Sequence, residues 1–282
     1  MIYFCADDYG MSDASNRRIE NCIQNGILNK VSVLPNGVIS DFKQRLGEEN
    51  TEISLHLNLV EGYPLSKLTL LSDEKGCFKY SFVGLLLLSL SGKRKVLEKE
   101  LYTEIQSQIK FWKEQMGEST SVSVDSHQHV HMIPLVFKTL MRVIRDENLK
   151  VHYIRIPAEP ISPYVLTPSL YLSYSPTGLV KQWLLKFLTF VNGKEIKKAA
   201  IPTAYFMGVL FSGRMSEKNV SKILPKYIKL AKRKKRNIEL GFHPGYSEQG
   251  EKLFEGCRAG FSQFYASPWR KTEYDALMNL KF

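Results

Sequence analysis

Three of the chain's six histidines stand at alternating positions, His127, His129 and His131, just after Asp125 in the run DSHQHVHMIP. On an extended backbone, side chains two apart share a face, so this spacing predicts three imidazoles converging on one pocket. Imidazole is a frequent metal ligand and the side chain that exchanges protons near neutral pH. Three other polar sites interrupt apolar runs: Asp7-Asp8 after MIYFCA, His56 within EISLHLNL, and His243 closing NIELGFH. Two imidazoles and one carboxylate, His56, His127 and Asp8, would make a three-ligand metal site with open positions for water and substrate. Of the neighbouring aspartates, one can bind a metal while the other is free to take a proton. A non-ligand His243 could protonate a leaving amine. Arg155, in YIRIP, offers a planar donor for a substrate carbonyl or phosphate. His152 has no partner in view and reads as structural.

These residues need elements to position them. The apolar stretch 1–6 reads as a buried strand, followed by a helix capped at Ser12 or Asp13 and running to about Asn25. Strands are expected at 31–34, 52–59, 122–124, 151–156 and 237–243. Helices are expected at 41–49, 93–116, 134–148 and 218–236, with a last one starting near Pro268. Such alternation predicts parallel βα units. Each polar site then falls at the C-terminal end of a strand, where α/β folds gather their chemistry. The chain reads as one domain over 1–282, with an insertion around 60–92 and an irregular, proline-bearing region around 157–202.

Bulk composition narrows the function. Hydrophobic content of 44% suits a globular protein with a sizeable core. No stretch reaches the roughly 18 apolar residues of a membrane-spanning helix. The N-terminus carries no basic leader, and Cys5, Cys22, Cys77 and Cys257 form no CxxC pair, so a reduced, cytoplasmic protein is expected. A net charge of +11 implies anionic company, and much of it lies in Lys226–Arg236, which reads as the solvated face of a surface helix. No nucleic-acid-binding motif accompanies it. The apolar segments 82–90 and 179–191, with the basic surplus, suit a peripheral enzyme on the inner face of an anionic membrane, or else a core or a homodimer interface.

Taken together, ADDYG, SLHLNLVEGYPLS, DSHQHVHMIP and ELGFHPGY resemble the YdjC/ChbG family of carbohydrate deacetylases, in that family's order and across residues 6–246. The resemblance implies a (β/α) barrel-like fold related to polysaccharide deacetylases. It also implies metal-dependent removal of acetyl from an N-acetylated sugar, free or lipid-linked. Asp8, His56 and His127 become the ligands of one divalent ion, magnesium or zinc. Asp7 becomes the general base and His243 the acid candidate, while His129 and His131 line the substrate pocket. Asp125 falls behind the ligands, orienting an imidazole. Tyr9, beside the metal and counted with the substrate contacts, stands where many relatives carry Phe. Little between Pro157 and Pro202 matches the family pattern. Rival readings are another metal-dependent amidohydrolase, an Fe(II) oxygenase using two histidines and a carboxylate, and a catalytically silent sugar-binding protein.

Overall fold

Parallel pairing needs crossovers long enough to return the chain to the same end of the sheet, and the helix-length stretches between these short apolar strands supply them. The computed structural model, which describes residues 1–47, 51–248, 251 and 265–281, has this form. Its strands are β1 (Ile2–Tyr9), β2 (Lys30–Val33), β3 (Glu52–Leu57), β4 (Val122–Ser126), β5 (Val151–Ile154), β6 (Tyr205–Met207) and β7 (Ile238–Phe242). They form one seven-stranded sheet in the order β5–β4–β3–β2–β1–β7–β6, with every neighbouring pair parallel. The sheet curls into a half-barrel, and Ile154 N–H of β5 donates to the C=O of Pro202, just ahead of β6, at 3.1 Å.

Helices α1 (Asp13–Asn25), α2 (Phe42–Leu46), α3 (Phe82–Ser89), α4 (Arg94–Met116) and α5 (Pro134–Asp146) accompany the first half of the sheet. The second half carries α6 (Ser162–Val165), α7 (Pro176–Val191), α8 (Gly193–Ala199), α9 (Glu217–Lys234) and α10 (Pro268–Asn279). Ser12 caps α1 by accepting from Ser15 N–H, as its position predicts. The expected helix over 41–49 is shorter, Phe42–Leu46, and residues 48 and 49 lie outside the described residues.

Residues 157–202, expected to be irregular, hold α6, α7 and α8. Pro163, Pro168 and Pro176 open helical turns here: their missing N–H groups cost nothing in a first turn. The three-residue β6 had no strand signal beyond an aromatic-apolar triplet, and its pairing with β7 is what makes it a strand.

The main core lies between sheet and helices and includes Ile19, Leu55, Leu101, Phe137 and Leu240. A smaller cluster, Met132, Leu185, Leu188, Phe206 and Val209, joins α7 to the sheet, with Phe82 and Leu86 of α3 packed against it. Inside the curl the filling is polar instead: Lys30, Asp125, Arg155 and Glu239 are all buried there.

The segment between β3 and α3 has no helix or strand of its own beyond a bridge between Ser72 and Phe78. Two carboxylates of α4 hold it down. Glu104, fully buried, accepts from the N–H groups of Leu65 and Ser66 and from Gln108, while Glu100 takes those of Thr69, Leu70 and Leu71. Hydrogen bonds to a charged acceptor contribute about 1.5–3 kcal/mol each, less when shared. Glu104→Ala is therefore expected to cost about 2–3 kcal/mol in denaturant unfolding and to open residues 60–72 to protease before the rest of the chain. Unchanged stability and cleavage would show that the segment is held by other means.

Candidate active site

Consecutive residues of a regular strand face opposite ways. The end of β1 breaks that rule. Asp8 has φ 70°, and the pairing of β1 with β2 slips between Ala6 and Tyr9. This bulge lets Asp7 and Asp8 line the same pocket. It also sends Tyr9 into the main core, where its hydroxyl donates to Glu20 at 2.7 Å. Tyr9, expected among the substrate contacts, therefore lies outside the pocket.

Arg155, expected to orient substrate, likewise does not line the pocket. It is fully buried inside the curl, where its guanidinium bonds Asp7 through both oxygens at 2.7 and 2.9 Å. The same group meets Glu239 at 2.7 Å and Asp125 at 2.9 Å. A cation in this dry interior has to be paired with carboxylates, and Nε, Nη1 and Nη2 each reach at least one. Asp125 passes the arrangement on: its other oxygen lies 2.6 Å from His56 Nδ1, as the register that sets His56 opposite Asp125 requires. Burial disfavours the charge of Asp125, but Arg155 and His56 hold its carboxyl well below the usual range.

Asp8 sits between three partners: His127 Nδ1 at 2.8 Å, His56 Nε2 at 3.5 Å and Arg270 Nη2 at 2.6 Å. Burial works against its charge, yet His127 and Arg270 keep its carboxyl well below the ordinary value. Burial pushes the His127 imidazole down, more than Asp8 raises it, so it is neutral and can donate a lone pair. Burial also opposes charge on His56, but Asp125 and Asp8 outweigh it and push the imidazole up to about 10. The surroundings thus call for a positive charge at this point. Asp8, His56 and His127 each offer one ligand atom, all within 4.8 Å of one another, and His127 Nε2 is buried with no hydrogen-bond partner among the described residues. Two imidazoles, a carboxylate and an orphaned nitrogen fit a divalent ion.

The histidine run does not converge as its spacing predicts, because it is not extended. Residues 127–132 form tight turns, with Gln128 at φ 53° and His129 at φ 59° in the left-handed region. The chain has to leave the end of β4 and enter α5 at Pro134 within a few residues. Ser126 Oγ pins the turn by accepting His131 N–H at 3.0 Å. The imidazoles fan apart. His127 joins Asp8, and His129 lines the pocket edge-on to Phe206 with a buried Nδ1 that has no hydrogen-bond partner among the described residues. His131 is fully buried behind them, with Nδ1 on Ser126 Oγ and Nε2 2.8 Å from Arg155 C=O. His131, expected to meet substrate, thus does not line the pocket, and burial pushes its pKa down to about 4.

His243, just past β7, also lines the pocket. Glu273 of α10 accepts its backbone N–H at 2.6 Å and faces its Nδ1 at 3.3 Å. Burial lowers the His243 pKa, but the Glu273 bond and charge outweigh this and raise it. Arg270 and Glu273 escaped sequence reasoning. They sit three positions apart on an ordinary last helix, and only burial of both distinguishes them.

The pocket holding these groups has a volume of about 580 Å³. Its floor is Asp7, Asp8, His56, His127 and Gly241, and its outer wall is apolar, built from Phe82, Val83, Val180, Leu184 and Val209. Gly241 is needed there: a Cβ would stand 2.7 Å from the Phe206 ring.

Comparison with known proteins agrees with this architecture. A family model described as "YdjC-like protein" matches residues 1–282, and the chain belongs to that family. Two relatives named carbohydrate deacetylase, from Danio rerio and Xenopus laevis, are 33% and 30% identical over 55% and 54% of this chain. The match spans about half the length of these two, 49% of each. A carbohydrate deacetylase of Clostridium beijerinckii is 26% identical over 65% of this chain and 73% of its own. The crystal structure of an Enterococcus faecalis V583 protein, described as a candidate for cellobiose-phosphate cleavage, superposes with a TM-score of 0.65. It covers 99% of this chain and 90% of its own at 16% identity, a likeness of fold.

The placement of Arg155 has a measurable consequence. Arg155→Met would leave Asp7, Asp125 and Glu239 buried without their shared cation, a loss on the order of 3–5 kcal/mol. Denaturant unfolding is expected to show that loss. A variant of full stability that binds substrate poorly would instead return Arg155 to the substrate.

Proposed function

We propose that this member of the YdjC-like family is a metal-dependent deacetylase that hydrolyses the acetamide of an N-acetylated amino sugar. The observation that carries the reading is the joining of the Asp8–His56–His127 cluster, at the ends of β1, β3 and β4, with Asp7 and His243 in one pocket. The names of the relatives support the substrate class.

Asp8, His56 and His127 would hold one divalent ion, magnesium or zinc, which supplies a polarised carbonyl and a bound water of lowered pKa. Asp7, fixed through both oxygens by Arg155, accepts a proton from the water that attacks the acetamide carbon. His243, held by Glu273, gives a proton to the sugar nitrogen as the C–N bond breaks, leaving acetate and a free amine. Asp125 fixes the ring of His56 so that Nε2 faces the cluster, a task that groups behind metal ligands commonly perform. His129, whose Nδ1 has no hydrogen-bond partner among the described residues, orients the sugar.

Chelation is expected to abolish acetate release from N-acetylglucosamine oligosaccharides, and an added divalent ion to restore it. Asp8→Asn and His127→Ala should each lower release by about 100-fold or more and reduce bound metal, since even groups behind the ligands are worth about 10–100-fold. Full activity in the chelated protein would refute the scheme.

The pH profile tests His243 separately. As an acid it must be protonated, so kcat/KM falls as pH rises through its pKa. Glu273 raises that pKa against burial. Glu273→Gln removes the charge, and the falling limb is expected to move to lower pH. A limb that stays in place would remove His243 from the acid role.

A further inference from the structure

The floor of the pocket suits a sugar, but its outer wall does not. The hydrogen-bonding groups a sugar needs are gathered on Asp7, Asp8, His56 and His127, whereas Phe82 and Val83 of α3 and Val180 and Leu184 of α7 add more hydrocarbon than a sugar ring alone would cover. The same helices carry this hydrocarbon out of the pocket into solvent. Val83, Leu87 and Leu90 recur along α3 and its C-terminal cap, and Trp183, Phe187 and Phe190 along α7, each set at three- and four-residue spacing on one helix face. None of the six is covered: Leu90 is 74% and Phe190 82% exposed. Phe82 and Leu86 of α3 and Leu184 and Leu185 of α7 pack into one apolar cluster, and Phe82, Val83, Val180 and Leu184 line one pocket, which sets both exposed faces beside its mouth. Exposed apolar patches of this extent on a folded chain mark a binding surface.

Charge says what the surface meets. No acidic residue occurs in 82–96 or in 160–194, while Lys93, Arg94, Lys95, Lys181, Lys186 and Lys194 do, in a chain of net charge +11. Lys181 lies on the pocket wall, and Lys186 stands 5.9 Å from the Trp183 ring. Aromatic and aliphatic side chains framed by lysines, with acids left out, are complementary to an anionic bilayer rather than to a soluble oligosaccharide.

We propose that the substrate is an amino sugar carried on a lipid, reached from the surface of an anionic bilayer on which α3 and α7 rest. This builds on the deacetylase reading. The sugar reaches the polar floor, and the first part of its tail lies along Phe82, Val83, Val180 and Leu184. Trp183, Phe187 and Phe190 enter the headgroup layer, where Lys181 and Lys186 meet lipid phosphate.

Two arms test this with the full chain. In the first, co-sedimentation is measured with vesicles of phosphatidylcholine alone and with 30% phosphatidylglycerol. Binding is expected only with the anionic lipid, and its loss in the triple variant W183S/F187S/F190S. These side chains are exposed and do not line the pocket, so circular dichroism should match the parent. In the second, acetate release is compared between octyl and methyl N-acetylglucosaminides below the micelle concentration. The octyl compound is expected to be favoured at least tenfold in kcat/KM. Equal kcat/KM for the two glycosides, or vesicle binding that ignores anionic lipid or survives the triple substitution, would overturn the proposal. So would a dimer in analytical ultracentrifugation that the variant dissolves, since the surface would then belong to a second copy. Acetate from neither glycoside would refute the deacetylase reading and the substrate with it. The vesicle arm needs no turnover, and so tells that failure from a failure of the surface.

Discussion

A guanidinium enclosed by protein has to find carboxylates, and the site is arranged around that requirement. Arg155 is sealed inside the curled sheet, where an unpaired charge would cost several kcal/mol. Its partners, Asp7, Asp125 and Glu239, come from β1, β4 and β7, so one side chain fixes the relative placement of three strands. Two of those partners also reach the pocket chemistry. Asp7 lines the pocket, and Asp125 fixes the ring of His56. The buried cation thus carries positional information from the interior of the sheet to its open end.

The second constraint comes from the chain's last described helix. α10 sends Arg270 to Asp8 and Glu273 to His243, so these two pocket residues share one support. Arg270 compensates Asp8, which also faces two imidazoles. Glu273 holds His243 by its backbone and its ring together. The bulge at Asp8 completes this design by setting two neighbouring carboxylates into one pocket with different partners, Arg155 for one and His127 with Arg270 for the other.

Much of the fold is legible in the sequence because its signals are local. Apolar runs ending in a polar residue give β1, β3, β4 and β7, and with them the pocket positions of Asp7, Asp8, His56, His127 and His243. What escapes depends on the backbone between elements or on distant partners. The left-handed Gln128 and His129 scatter a histidine run whose spacing reads as one face, and so His131 ends behind the pocket. Tyr9 is displaced by a bulge that no residue announces. Arg155 looks like a donor pointing at substrate, because a strand pattern cannot tell the inside of a curled sheet from its mouth. Arg270 lies 262 residues from Asp8 in sequence, and its helix resembles any amphipathic one. In α3 and α7 the apolar residues are plain to read, and only the fold shows that many of them face solvent.

The geometry of Asp8, His56 and His127 underlies the central proposal, that this cluster holds the ion on which hydrolysis depends. Anomalous diffraction from crystals grown with zinc measures it most directly. One strong peak within bonding distance of Asp8, His56 and His127, absent after chelation together with acetate release, is the result predicted. A peak at another set of side chains, or undiminished turnover by protein that carries no metal, would contradict it.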